Sequence, residues 1–120
     1  MVRDFHKAFE LTVNSRPCTP TGKDQVLRRK LILEELEEFI DAKSLTGIAD
    51  ALGDLLYVVY GAAVTYGIDM EPVFNEIHRS NMTKIWPDGK VHKNDDGKVI
   101  KPSGYLPANV ECEVLKQLGQ

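Results

Sequence analysis

Between Ile48 and Val64 the chain reads Ile-Ala-Asp-Ala-Leu-Gly-Asp-Leu-Leu-Tyr-Val-Val-Tyr-Gly-Ala-Ala-Val, apolar on every face of a helix except at Asp50, Asp54 and two tyrosine hydroxyls. A helix that is apolar all round is expected to be a buried one. At about 100° per residue, Asp50 and Asp54 lie only about 40° apart, one turn from each other on one face. Two such carboxylates repel each other and lose hydration on burial, so they require a raised pKa, a cationic partner or a metal ion. For Asp50 a plainer role is open, because a carboxylate near a helix start also helps to cap it.

A matching acidic set precedes this run. From about Asp24 to Lys43 the apolar residues Val26, Leu27, Leu31, Leu33, Leu36, Phe39 and Ile40 recur at helical spacing. On the same helix Glu34, Glu35 and Glu38 fall within an arc of about 100°, with no basic residue between 31 and 42 to relieve their i,i+3 and i,i+4 repulsion. The turn from Lys43 to Gly47 is short enough to make the two helices antiparallel neighbours, which brings the glutamates opposite the aspartates. Oxygen-only ligands of this kind favour Mg²⁺, with Mn²⁺ as the alternative. Zinc would want His or Cys, and His6, His78 and His92 show no ligand spacing. A di-iron bundle would want Glu-x-x-His, which Asn75-Glu-Ile-His78 does not supply.

The rest of the chain completes an antiparallel bundle. A first helix is predicted from Val2 to about Val13, ended by the breaker-rich run from Asn14 to Gly22. Thr46 is a candidate N-cap for the third helix and Gly67 its left-handed terminator. Asp69 can cap a fourth, with Pro72 in its first turn and an end near Asn81. Residues 89–101 alternate around Asn-Asp-Asp-Gly and predict a small β-hairpin, followed by a short helix from about Ala108 to Leu118. The expectation is one all-α domain over 1–120, with about four core helices within 2–81 and the hairpin and last helix within 89–118. One chain of this size cannot easily cover a third helix that is apolar all round, so an oligomer is expected, at least a dimer.

Composition narrows the function. The 42% hydrophobic and 28% charged content fits one globular domain. No run reaches the roughly 18 uninterrupted apolar residues of a membrane span, and the N-terminus lacks the basic-then-apolar order of a signal peptide, so a cytoplasmic protein is expected. Cys18 and Cys112 form no metal or disulfide pattern. The net charge of −3 conceals nine acidic side chains against one lysine over residues 34–71, and six basic against three acidic over 79–101. Such a distribution suits a cation with a polyanion bound to it. The basic residues are too sparse, and too little interleaved with aromatics, for general nucleic-acid binding.

These residues resemble the MazG-like, or phosphoribosyl-ATP-pyrophosphohydrolase-like, all-α NTP pyrophosphatases. The family pattern is Glu-Glu-x-x-Glu on one helix and Glu-x-x-Asp on the next. Glu34-Glu35-Leu-Glu-Glu38 matches the first part, and Ala51-Leu-Gly-Asp54 matches only the aspartate of the second, with Asp50 one residue ahead of the missing glutamate. The resemblance covers roughly residues 20–85. It implies water attack at the α-phosphorus of a nucleoside triphosphate or related nucleotide, release of pyrophosphate, and assembly as a homodimer or homotetramer. By the same resemblance Glu35, Glu38 and Asp54, with Asp50, would hold Mg²⁺, and Glu34 would orient or deprotonate the water. Asn81 and Lys84 would approach substrate, with Arg79 balancing charge on the pyrophosphate and Trp86 available to stack on a base. The rival expectation is a non-catalytic helical dimerisation or regulatory module that uses the acidic cluster only to bind a cation.

Overall fold

The computed structural model describes residues 1–119, which form five helices: α1 (Val2–Ala8), α2 (Gly22–Asp41), α3 (Leu45–Tyr66), α4 (Met70–Met82) and α5 (Val110–Gln117). They belong to two compact units, Met1–Asp69 and Met70–Gln120.

In the first unit α2 and α3 form the principal pair, and α1 lies against α3. Thr21 opens α2 by accepting a hydrogen bond from the Asp24 N–H at 3.2 Å. Only Ala42, Lys43 and Ser44 separate the two long helices, which makes them antiparallel neighbours. Ser44, two residues ahead of the expected Thr46, caps α3, its hydroxyl accepting from the Gly47 N–H at 3.0 Å.

The far end of α3 organises the N-terminal segment. A helix leaves its last four carbonyls without intrahelical partners, and here each one is satisfied. Ala63 O accepts from Ile68 N–H at 2.9 Å, and Val64 O from the N–H groups of Gly67 and Asn14. Thr65 O accepts from the Asn14 side-chain amide at 2.6 Å, and Tyr66 O from Cys18 N–H at 3.0 Å. Gly67 takes a left-handed φ of 69°, and a Cβ there would meet Arg16 O at 2.0 Å, so two independent constraints require glycine.

Three expectations change. The first helix stops at Ala8 rather than near Val13, because Glu10 adopts a left-handed φ of 57° and Leu11 N–H turns back to His6 O at 2.7 Å. The hairpin is reduced, among the described residues, to one antiparallel bridge between Lys93 and Val99. The Asn94 carboxamide oxygen accepts from both Asp96 N–H and Lys98 N–H at 3.0 Å, and this local bonding competes with a strand ladder. The third change concerns α3, of which only Ala51, Gly61 and Thr65 are buried within the chain. Leu45, Leu52, Leu56 and Val59 form an exposed stripe within about 60° on its outer side. By length and a mean hydropathy of 1.4, α3 would suffice to cross a membrane, although no uninterrupted apolar run suggests it. In the fold it packs against α2, whose second half is strongly acidic.

In the second unit α4 holds α5 through Glu76. Its carboxylate receives two bonds from the Arg79 guanidinium, at 2.6 and 2.9 Å, and one from the Asn109 N–H at 2.9 Å. Asn109 in turn caps α5 by accepting from Cys112 N–H. Arg79 and the Asn109 amide hold the Glu76 carboxyl down at about 2, against an ordinary 4.5. A depressed carboxylate contributes stability above its ordinary value and loses it as pH falls towards the depressed one. Acidification from 4.5 to about 2 should therefore release the start of α5, read as a titrating Asn109 amide shift by NMR. Glu76→Gln should abolish that titration. An Asn109 amide that stays unchanged through this range would exclude the latch.

Candidate metal centre

The α2–α3 pairing brings Glu35, Glu38 and Asp54 together, one ligand oxygen from each lying within 4.8 Å of the others. The two helices supply them for a simple reason. Glu35 and Glu38 are three residues apart and share a face, and the short turn sets that face against the level of Asp54. Glu38 is exposed, whereas Glu35 is half-buried and its Oε2 is the one buried side-chain oxygen without a hydrogen-bond partner among the described residues. Burial raises the Glu35 carboxyl above its ordinary value of 4.5, and a hydrogen bond with the Glu38 side chain adds to this. The negative charges of Glu38, Asp54 and Glu34 push it further in the same direction.

Three carboxylates at this spacing, one with an orphaned oxygen, repel one another and would be relieved by a cation. Their oxygen-only chemistry and mutual reach fit a hard divalent ion. Of the other expected residues, Asp50 is exposed one turn ahead of Asp54 and lies outside the trio. Glu34 is exposed and acts on Glu35 through its charge.

The residues expected near substrate lie in the second unit. Arg79 is engaged by Glu76 and donates to Pro107 O at 3.3 Å. The Trp86 indole donates to Ile100 O at 3.0 Å and lies 4.3 Å from the His92 ring, which makes it an anchor for the tail. The Lys84 ammonium stands 5.9 Å from the centre of the Tyr105 ring, which Lys101 also approaches, and Asn81 is exposed.

Sequence reasoning missed what lies beside the trio. A cleft of about 260 Å³ in the first unit is lined by Glu35 and Asp54, by Phe5, Leu11, Leu31, Tyr57 and Val58, and by buried His6 and Arg28. Arg28 sits seven residues before Glu35 on the same face of α2. That spacing, together with Gly61 inside a long apolar helix, was the available signal.

An all-helical fold with carboxylates gathered on an antiparallel helix hairpin defines a class of helical proteins with a candidate cation site. Within it, the sequence signature of the phosphoribosyl-ATP pyrophosphohydrolase family matches residues 2–81, and the chain belongs to that family, whose members are hydrolases of pyrophosphate bonds. A crystal structure at 1.78 Å of a protein from Exiguobacterium sp. 255-15, provisionally assigned as an NTP pyrophosphohydrolase, superposes with a TM-score of 0.56 at 25% identity. The match covers 98% of this chain and 94% of that one. Uncharacterized protein L479 of Acanthamoeba polyphaga mimivirus is 48% identical over 73 residues. The match covers 57% of this chain, which spans only 29% of the viral protein.

The raised Glu35 sets a pH test. A carboxyl whose folded pKa lies above its unfolded value contributes stability below that ordinary 4.5 and loses it as pH rises through the raised value. Metal-free protein should melt at progressively lower temperature as pH rises above 4.5, and Mg²⁺ at neutral pH should reverse the loss. Glu35→Gln should flatten this dependence and melt higher than the parent in chelator. A lower melting temperature for Glu35→Gln in chelator at neutral pH would show that the cluster is not under charge strain.

Proposed function

We propose that the protein is an Mg²⁺-dependent nucleotide pyrophosphohydrolase, with Mn²⁺ as an alternative ion. It would convert a nucleoside triphosphate or related nucleotide to the monophosphate and pyrophosphate. The observation that carries this reading is the Glu35, Glu38 and Asp54 trio with its orphaned Glu35 oxygen, in a chain of this family. Glu35, Glu38 and Asp54 would hold the ion, with Asp50 as a further ligand in place of the glutamate that Ala51 does not provide. A divalent ion held there would neutralise phosphate charge and lower the pKa of the attacking water. Glu34 takes the proton from that water as its oxygen bonds to the α-phosphorus and the α–β anhydride bond breaks. Asn81 and Lys84 remain proposed substrate contacts. We assign Arg79 and Trp86 to holding the tail, since each is already engaged there.

Asp54→Asn and Glu38→Gln should each lower turnover at least about a hundredfold, because each removes a ligand charge with little change of shape. Melting temperature in chelator should not fall with it. Asp50→Asn decides whether that residue is a ligand, by a large loss, or part of the helix start, by none. The assay is pyrophosphate release from the common NTPs and dNTPs with Mg²⁺ or Mn²⁺. Release from none of them would favour the rival reading, a non-catalytic cation-binding module, which the alanine at position 51 makes specific.

The exposed stripe of α3 supports a second part of the reading, that the working form is a cytoplasmic homo-oligomer, dimer or tetramer. Leu56 is 57% exposed and Ile40, on α2, is 68% exposed. Each large aliphatic side chain left in water forgoes about 1.5–3 kcal/mol of burial, which a second copy of the chain would recover. Light scattering at low micromolar concentration should give at least the dimer mass. A monomeric mass with full activity would exclude it.

A further inference from the structure

The cleft beside the trio has a floor that metal chemistry does not use. His6 and Arg28 are 2% and 5% exposed, and they meet through the Arg28 Nη1 and His6 Nε2 at 3.4 Å. The His6 Nδ1 faces Thr12 O at 3.0 Å, which fixes Nδ1 as the ring donor and leaves Nε2 to accept from the guanidinium. Gly61 makes room for both groups. A Cβ there would lie 2.6 Å from Arg28 Nη1 and 3.1 Å from His6 Nε2.

A buried guanidinium normally has a carboxylate partner, and among the described residues Arg28 forms no ion pair. Asp24, one turn earlier, acts on it only through space, while burial pulls its pKa down. One of its five N–H groups is used by His6, and the guanidinium forms part of the cleft lining. Arg28 lies seven residues from Glu35 along α2, an axial separation of about 10 Å. The rest of the lining is Leu11, Leu31, Val58 and the edge-to-face pair Phe5 and Tyr57, whose ring centres are 5.5 Å apart. Apolar and aromatic walls suit a flat ring and are poor company for a phosphate, whose oxygens would lose hydration against them.

We propose that this cleft is a nucleobase site in which Arg28, positioned by His6 and Gly61, reads a keto oxygen at purine position 6 or pyrimidine position 4. The inference rests on the nucleotide-hydrolase reading above. With the α-phosphate at the carboxylate trio, the base lies against the aromatic wall and its far edge meets a group that can only donate. Guanine, hypoxanthine, uracil and thymine present an acceptor there. Adenine and cytosine present an amino group, which sets N–H against N–H and leaves buried donors unpaired.

The test compares substrates that exchange keto for amino at that position, ITP against ATP and UTP against CTP, repeated with the deoxy series. The parent should favour the keto member by about tenfold or more in kcat/KM. Arg28→Lys keeps the charge but loses the planar fork, and should bring both ratios close to one mainly by raising KM for the keto substrates. Gly61→Ala, which displaces the guanidinium without removing it, should do the same and serves if Arg28→Lys does not fold. Parent ratios near one, or an equal loss for all four substrates in both variants, would overturn the proposal and make Arg28 a phosphate contact or a structural charge. If no triphosphate is hydrolysed, the enzymatic reading fails separately. Calorimetry of inosine against adenosine monophosphate with Mg²⁺ then decides, a keto preference supporting the base site and equal or absent binding overturning it.

Discussion

Repulsion among carboxylates is the constraint on which the first unit depends. Glu35, Glu38 and Asp54 are driven together by the apolar pairing of α2 with α3, and nothing basic on either helix stands between them. Packing thus holds like charges at a distance they would not choose in water. Burial raises the Glu35 carboxyl, and the neighbouring negative charges push it further the same way. A protein can carry such strain when the same arrangement is relieved by what it binds, and the cost of pre-arranging the ligands is met by folding rather than at the moment of binding.

The outline of this arrangement was legible in the sequence because it rests on short-range rules. Helical spacing gave α2 and α3 to within two residues at each end, the short connection made them antiparallel, and Gly67 marked the end of α3. The acidic residues stood out because no lysine or arginine was interspersed with them. What could not be read depends on tertiary detail. Ser44 rather than Thr46 caps α3, a choice between neighbouring hydroxyls that turns on one residue's backbone angles. Glu10 ends α1 in a conformation that non-glycine residues seldom adopt, so no pattern announces it. The hairpin gave way to local bonding by Asn94, which a count of alternating residues does not see.

The site shows the same division. The trio followed from two sequence-local motifs, whereas Arg28 and His6 come from α2 and α1 and meet only because Gly61, on a third helix, leaves a gap. A buried arginine looks like any surface arginine in a sequence. How much of α3 a single chain buries was not legible for a related reason. Hydrophobicity tells that a surface is to be covered and not by which molecule, so a chain that leaves Leu52 and Leu56 exposed obeys the pattern without fulfilling it alone.

The bonds from Asn14 and Cys18 to the last turn of α3 bear on the order in which the molecule comes together. They join residues about fifty positions apart, across the whole of the α2–α3 hairpin, and contacts of such separation carry a larger loop-closure cost than those between adjacent helices. The hairpin can therefore assemble first from near contacts, carrying the carboxylate trio with it. By that cost the N-terminal segment would dock afterwards, with the carbonyls at the end of α3 already in place to receive it. Because Phe5, His6 and Leu11 belong to that segment, the carboxylate corner can form before the cleft has its full wall. A nascent chain would thus be able to gather a cation before it could enclose any larger ligand.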